Sequence, residues 1–362
     1  MMTPLMPTPS GSSAKDSDAG AMTVDPLRCS DWDARVAAHP QSTLFHGGGW
    51  ARVLRDTYGH RPYYFARWEG RQLAELLPVM EVSSWLTGRR GVSLPFTDFC
   101  PALHGAGCDG RDLYQRAMEC GRQRRWKTLE CRSFDGAWEG SQPSLSFYSH
   151  KIDLGLGGDK LFQRLDGAVR TGVRKAQRMG VEIDFDGGEE SMRTFFSLHC
   201  RTRRRHGLPP QPFRFFLNIQ RHLLSLGGGF IATARLEKRP LAAAVFLHDA
   251  RQALYKFGAS DNAFQQMRPN NLLMWAAMRH CVERGLATLN LGRTSLSNQG
   301  LRRFKLGLGA EEEELRYARY DFSSEQFVRD ADRVEGWFNR VFARLPLPVL
   351  RLSGAVLYPH LS

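Results

Sequence analysis

The sequence has no run approaching about 18 consecutive apolar residues, so no transmembrane helix is expected. Cysteine is scarce and scattered: Cys29, Cys100, Cys108, Cys120, Cys131, Cys200 and Cys281, with no C-x-x-C pair. An odd, scattered set argues against a disulfide framework and a zinc site, and points to a reducing compartment. No H-x-x-x-H spacing occurs, so no metal is expected. No Ser/His/Asp or Cys/His nucleophile arrangement is discernible. Aromatics do not alternate with the basic runs, which excludes a base-stacking RNA-binding signature. Residues 1–22 are rich in Pro, Ser, Gly and Asp and lack an apolar h-region. They read as a disordered tail rather than a secretory signal.

Positive charge, by contrast, is abundant. The net charge is +13 over 362 residues. It favours anionic partners: nucleic acid, phosphorylated carriers or acidic lipid surfaces. The length suggests two domains, and an internal repeat supports this. Ala66, Arg67, Glu69, Arg71, Leu73 and Ala74 match Ala234, Arg235, Glu237, Arg239, Leu241 and Ala242 at one constant offset. In each copy the matched residues read as a β-hairpin, with strands at 63–68 and 73–82 and again at 230–236 and 241–248. The second copy continues with a strand at 253–257, a helix at 272–284 that is apolar nearly all round, and a strand at 288–291. A short helix near 301–304 and a last strand at 315–320 follow. The expected class is α/β (α+β): two tandem domains, each a mixed, mostly antiparallel sheet flanked by helices. The division runs 1–24 tail, 25–150 and 151–322 domains, and 323–362 helical tail.

Candidate site residues concentrate in 286–309, L-A-T-L-N-L-G-R-T-S-L-S-N-Q-G-L-R-R-F-K-L-G-L-G. A short strand delivers a backbone edge, small residues keep it clear, and cations follow. That pattern suits an anionic, phosphate-bearing ligand. Lys305 is the first candidate, for phosphate or oxyanion contact, with Arg293 at the strand end and Arg302 and Arg303 beside it. Between the halves, Arg170, Arg174 and Arg178 fall on one helical face with Lys175 just beyond. This cationic face suits phosphate or tRNA, or is simply solvated. Tyr255 and Lys256 alternate on a strand, so one faces the cleft. Asn270 and Asn271 either cap the buried helix or bind a donor. His60 and Asp98 are candidates on the acceptor side. The C-terminus is apolar with Arg at intervals; it either lies on an anionic membrane or packs on the protein.

Five stretches resemble the FemAB-related branch of the acyl-CoA N-acyltransferase superfamily. They are H-G-G-G-W…T-Y-G-H-R-P-Y-Y (46–64), G-R-R-G-V-S-L-P-F-T-D-F (88–99), V-R-K-A-Q-R-M-G-V (173–181), Y-K-F-G-A-S…P-N-N-L-L-M-W…L-N-L-G-R-T…F-K-L-G-L-G-A (255–310), and Trp337 with L-P-L-P (345–348). They most resemble the FemAB-like proteins of exosortase/PEP-CTERM and exopolysaccharide loci. The resemblance implies two tandem GNAT-like domains. It also implies transfer of an acyl or aminoacyl group from a thioester or tRNA ester to an amine. The donor is then acyl-CoA or aminoacyl-tRNA, and the setting cytoplasmic or peripheral to the inner membrane. The family's F-K-x-x-x-G element maps onto Phe304, Lys305 and Gly309. Two departures stand out. Where relatives often read D-F-G-R-S, this chain has Asn290-Leu291-Gly292-Arg293-Thr294. The Arg/Gln-x-x-Gly-x-Gly/Ala loop of acetyltransferases is missing. The catalytic set is therefore Lys305, Arg293 and Asn290. The alternative is a non-catalytic module that holds a phosphorylated polysaccharide or lipid carrier.

Overall fold

Strands from both halves of the chain pair into one shared sheet in the computed structural model. It describes residues 20–105, 107–134, 142–330 and 337–361. The first half holds β1 (Met22–Val24), α1 (Trp32–Ala38), α2 (Gly48–Tyr58), β2 (Arg61–Pro62), β3 (Tyr64–Glu69), β4 (Gln72–Leu77), β5 (Met80–Ser84), β6 (Gly88–Val92), α3 (Arg111–Arg124) and β7 (Thr128–Cys131). The second holds β8 (Leu145–Asp153), α4 (Gly158–Arg164), α5 (Gly167–Arg178), β9 (Val181–Asp186), α6 (Glu189–Arg205), α7 (Phe213–His222), β10 (Gly229–Leu236), β11 (Arg239–His248), β12 (Gln252–Ser260), α8 (Pro269–Glu283), β13 (Thr288–Ser295), α9 (Gln299–Gly307), β14 (Glu311–Asp321) and β15 (Gln326–Phe327). Two helices close the chain, α10 (Trp337–Arg344) and α11 (Leu347–Leu357).

Both repeated hairpins form: β3 pairs with β4, and β10 with β11, each antiparallel with one bulge. The strand expected over 73–82 is instead two. Pro78 has no N–H for a ladder, and the chain leaves the β1–β3–β4 sheet there to enter the larger one as β5. Part of the stretch assigned to the N-terminal tail, Met22–Val24, is β1 against β3. The 1–19 portion lies outside the described residues. Helix α8 begins at Pro269, which suits a first turn with no N–H partner to lose, and ends before Gly285 at φ +73°. It buries Leu272, Leu273, Met274, Trp275, Ala277, Met278 and Cys281, as its all-round apolar sequence predicts.

The larger sheet runs β2-β5-β6-β7-β14-β8-β13-β12-β11-β10-β9, with β15 on β14. Its centre is made by exchange. β14, the late strand of the second half, pairs with β8 over Glu311–Tyr317 and then with β7 over Ala318–Asp321. β8 runs through residues 150 and 151 and pairs with β13 on its other side. The two halves therefore share backbone ladders. A common apolar cluster adds to this, in which Trp50 of α2 meets Phe45 and Phe215 of α7 edge-on at 5.1 and 5.9 Å.

A buried ionic clasp reinforces the exchange. Glu130 on β7 is 5% exposed and lies between Arg132 and Arg319, the latter from β14. Removing one member of such a group strands the remaining buried charges. Glu130→Gln is therefore expected to lower unfolding free energy by about 3 kcal/mol. Urea denaturation checks this, and a loss below about 1 kcal/mol would show that the clasp is dispensable.

Candidate active site

Strands β12 and β13 are parallel neighbours for only three residues, Gln252–Leu254 against Thr288–Asn290. Beyond that they splay. β12 stays with β11 to Ser260, and β13 stays with β8 to Ser295. Each strand is irregular where the splay opens. On β12, Tyr255 and Phe257 pair with Phe246 and Val245, which leaves Lys256 as the extra residue of a bulge. On β13, the ladder breaks between Asn290 and Arg293. There Gly292 adopts φ +73°, a conformation cheap for glycine. The Asn290 side chain fixes that turn: its Oδ1 accepts from Gly292 N at 2.7 Å. This is an ordinary Asx contact, so Asn290 shapes the backbone.

The gap is entered by residues 95–100 of the first half. Leu94 and Phe96 have φ of 55° and 63°, a strained region for side chains of that size. The strain is held by Trp50 Nε1 donating to Pro95 O at 3.2 Å, Thr97 Oγ1 donating to Leu94 O at 2.7 Å, and Arg132 Nη1 donating to Thr97 O. These contacts aim Asp98 into the splay. Its Oδ2 lies 3.4 Å from Lys256 Nζ, and its Oδ1 3.8 Å from Arg293 Nε. A Cβ on Gly292 would stand 2.9 Å from Asp98 Oδ2, so only glycine leaves room for the carboxylate.

Three cations surround this carboxylate. Lys256 has a side chain 3% exposed, with Nζ 5.4, 5.7 and 5.8 Å from the rings of Phe257, Trp50 and Phe45. Arg293 stacks on Phe147 at 4.4 Å and donates to Tyr317 Oη at 3.3 Å; Tyr317 in turn donates to Asp98 O. Lys305, 2% exposed, donates to the carbonyls of Gly292 and Arg293 at 2.8 and 3.0 Å. Burial pushes the Lys305 ammonium down to about 8, with Asp98 opposing. Burial likewise lowers Lys256, again opposed by Asp98. Burial alone would raise the Asp98 carboxyl, but Lys256, Arg293 and Lys305 together hold it below its ordinary value. One carboxylate among three cations leaves the site positive. Beside it, on the Asp98 side, lies a cavity of about 50 Å³ lined by Leu44, Phe45, Asp98, Asp249, Leu254 and Asn290 among others.

Of the residues expected from sequence, Lys305, Arg293, Asn290 and Asp98 meet here. The others lie elsewhere. His60 is buried, stacked on Tyr58 at 5.4 Å, and pushed down by burial to about 3, so it is neutral. Tyr255 packs on Phe246, and its neighbour Lys256 takes the site position. Arg302 is bound bidentately to Glu312 at 2.7 Å and stacked on Tyr148, while Arg303 is exposed and reaches Gln299 O. On α5, Arg170 donates to Gln163 O and Leu165 O, Arg174 stacks on Phe162, Lys175 is half-exposed and Arg178 is exposed. Asn271 packs into the notch left by Gly172 of α5, and Asn270 sits in the first turn of α8. Sequence reasoning left open which of Tyr255 and Lys256 faces the cleft; in the structure it is Lys256, the extra residue of the bulge. That reasoning missed Tyr317, Trp50 and Phe45 because they are remote in the chain and carry no local signal. Among the described residues no group of three or more His, Cys, Asp or Glu side chains is placed to hold a metal.

The depressed Lys305 value makes stability depend on pH. The unfolded chain keeps this proton up to about 10.5, the folded one only to about 8. Between those values the unfolded state binds more protons, so this lysine's contribution to stability rises with pH. Lys305→Met removes the rise. Wild-type unfolding free energy, referred to that variant, is expected to climb on the order of 1–3 kcal/mol from pH 7.5 to 10. A flat difference in urea titrations would place Lys305 at an ordinary pKa.

Residues 164–319 match the family model described as Acetyltransferase (GNAT) domain. That span includes β12, β13 and Lys305, but not Asp98. A comparison with curated proteins yields no match. Among solved structures, FemX is similar at 15% identity and a TM-score of 0.69, over 84% of this chain and 98% of that one. The C-terminal domain (DUF2156) of a putative lysylphosphatidylglycerol synthetase from Agrobacterium fabrum is similar at 14% identity and TM-score 0.54, over 90% and 95%. A tandem GNAT protein from the clavulanic acid biosynthesis pathway is similar at 12% identity and TM-score 0.51, over 83% and 98%. The fold is thus that of two tandem GNAT-like domains, and residues 164–319, within the second, match the acetyltransferase domain model.

Proposed function

We propose that the splay between β12 and β13 is the seat of an N-acyl transfer in which both domains take part. The observation that carries this reading is the meeting of Asp98 from the first domain with Lys256, Arg293 and Lys305 from the second. In aminolysis, the amine nitrogen attacks the carbonyl carbon of an ester or thioester. The C–N bond forms, the oxyanion collapses, and the tRNA hydroxyl or the thiol leaves with a proton. Such a reaction needs positioning and charge stabilisation more than a strong base. Asp98, held ionised by its cations, suits the role of accepting a hydrogen bond from the acceptor's neutral amine and orienting it, the amine's proton going to the departing hydroxyl or thiol. Arg293 and the two lysines supply positive potential for the oxyanion and the donor's phosphates. The missing acetyltransferase loop motif favours an aminoacyl ester, as on tRNA, while the match of residues 164–319 to a GNAT acetyltransferase domain keeps acyl-CoA as the second donor to test. The resemblance noted in sequence further suggests an amine of a cell-envelope or exopolysaccharide precursor as acceptor.

Charged tRNAs and a panel of acyl-CoAs, each supplied with amine acceptors and followed by mass spectrometry of the amide, test the reading. Asp98→Asn is expected to lower kcat by roughly 10²–10³-fold and, because it leaves buried cations without their counter-charge, to lower the thermal midpoint as well, so activity is compared at a temperature where circular dichroism shows the variant folded. Lys305→Ala is expected to weaken donor binding in a calorimetric titration. A folded Asp98→Asn enzyme of full activity would remove the carboxylate from the mechanism.

A further inference from the structure

Two exposed apolar segments, distant in sequence, meet at one edge of the molecule. The β5–β6 hairpin ends in Trp85 and Leu86, which are 83% and 58% exposed. The indole packs edge-on against His360 with centroids 5.5 Å apart, and Arg90 Nη2 donates to His360 O at 2.7 Å. His360 follows directly on α11, so the hairpin tip and the end of that helix lie side by side.

Helix α11 presents an apolar face to solvent. At 100° per residue Val349, Leu352 and Val356 share an arc of about 60°. They are 49%, 66% and 55% exposed. The opposite side, Leu350 and Gly354, is buried, and a Cβ on Gly354 would collide with Pro210 O. The helix is therefore clamped by one side and leaves an uncovered hydrophobic stripe on the other, the reverse of an ordinary surface helix. Val341 on α10, 48% exposed, extends the apolar surface along the preceding helix. The C-terminal segment carries charge of one sign: residues 337–361 contain Arg340, Arg344 and Arg351 and no Asp or Glu. At eleven residues α11 is far too short to cross a bilayer, and no helix among the described residues is long and apolar enough to do so.

We propose that this edge docks on an anionic phospholipid surface, with Trp85, Leu86 and the outer face of α11 entering the interfacial layer. An exposed Trp beside a short apolar helix is suited to the headgroup boundary, where an indole is favoured at the polar–apolar transition. Exposed Arg340 and Arg344, in a segment without Asp or Glu, select negatively charged headgroups over neutral ones. The surface needs no catalytic residue, so docking and transfer are separable by mutation.

Flotation of the full chain with phosphatidylcholine vesicles, with and without roughly 30 mol % phosphatidylglycerol, tests this. The protein is expected to float with the anionic vesicles and to stay behind with the neutral ones. Trp85→Ser combined with Leu352→Glu and Val356→Glu is expected to cut partitioning at least roughly tenfold, with circular dichroism and thermal midpoint unchanged. Arg340→Gln with Arg344→Gln is expected to weaken it further. Failure of the wild type to float with anionic vesicles overturns the proposal, as does equal binding by the triple variant. So does a wild-type dimer in light scattering that the triple variant converts to monomer, because the face would then be a contact between copies of the chain.

Discussion

The arrangement rests on one carboxylate. Asp98 crosses from the first domain into the gap between two strands of the second, where Lys256, Arg293 and Lys305 converge. Without it, three cations would face one another in a site that excludes most water, where repulsion is weakly screened. Without them, a largely enclosed carboxylate would take up a proton. Each sign makes the other tolerable, and the result is a polar centre placed between two domains with large apolar cores.

Backbone irregularity makes that meeting possible. A bulge frees Lys256 from the ladder, and Gly292 at positive φ leaves space for Asp98. Lys305 holds the carbonyls of residues 292 and 293, so its ammonium both shapes the strand and charges the site. Strained Leu94 and Phe96 are retained because Trp50, Thr97 and Arg132 tie their segment from several sides. Strain, bulge and buried charge coincide here, as local rules often break where a structure serves chemistry rather than stability.

Strand exchange joins the two domains through shared backbone ladders. With β14 laddered to both β7 and β8, the segment bearing Asp98 and the strands bearing its partners belong to connected sheets. The charges can then hold a fixed geometry across a domain boundary, which electrostatic stabilisation of a transition state requires. The Glu130 clasp stabilises the same junction from within.

Periodicity and repetition alone determined the paired hairpins, the buried helix after Pro269 and the cationic helix ended by Gly180, and they singled out 286–309 as the candidate stretch. These depend on local spacing and on an offset visible by eye. The sequence also marked Lys305, Arg293, Asn290 and Asp98, but it assigned Asn290 to catalysis and left Asp98 with His60. Only the tertiary structure decided that Asn290 serves the Gly292 turn, that His60 is a stacked neutral ring, and that Arg302 is spent on Glu312. It alone selected Lys256 over Tyr255. The physical reason is that burial and charge pairing are properties of neighbours. Asp98 and Lys256 are 158 residues apart in the chain, and a one-residue bulge determines that they meet.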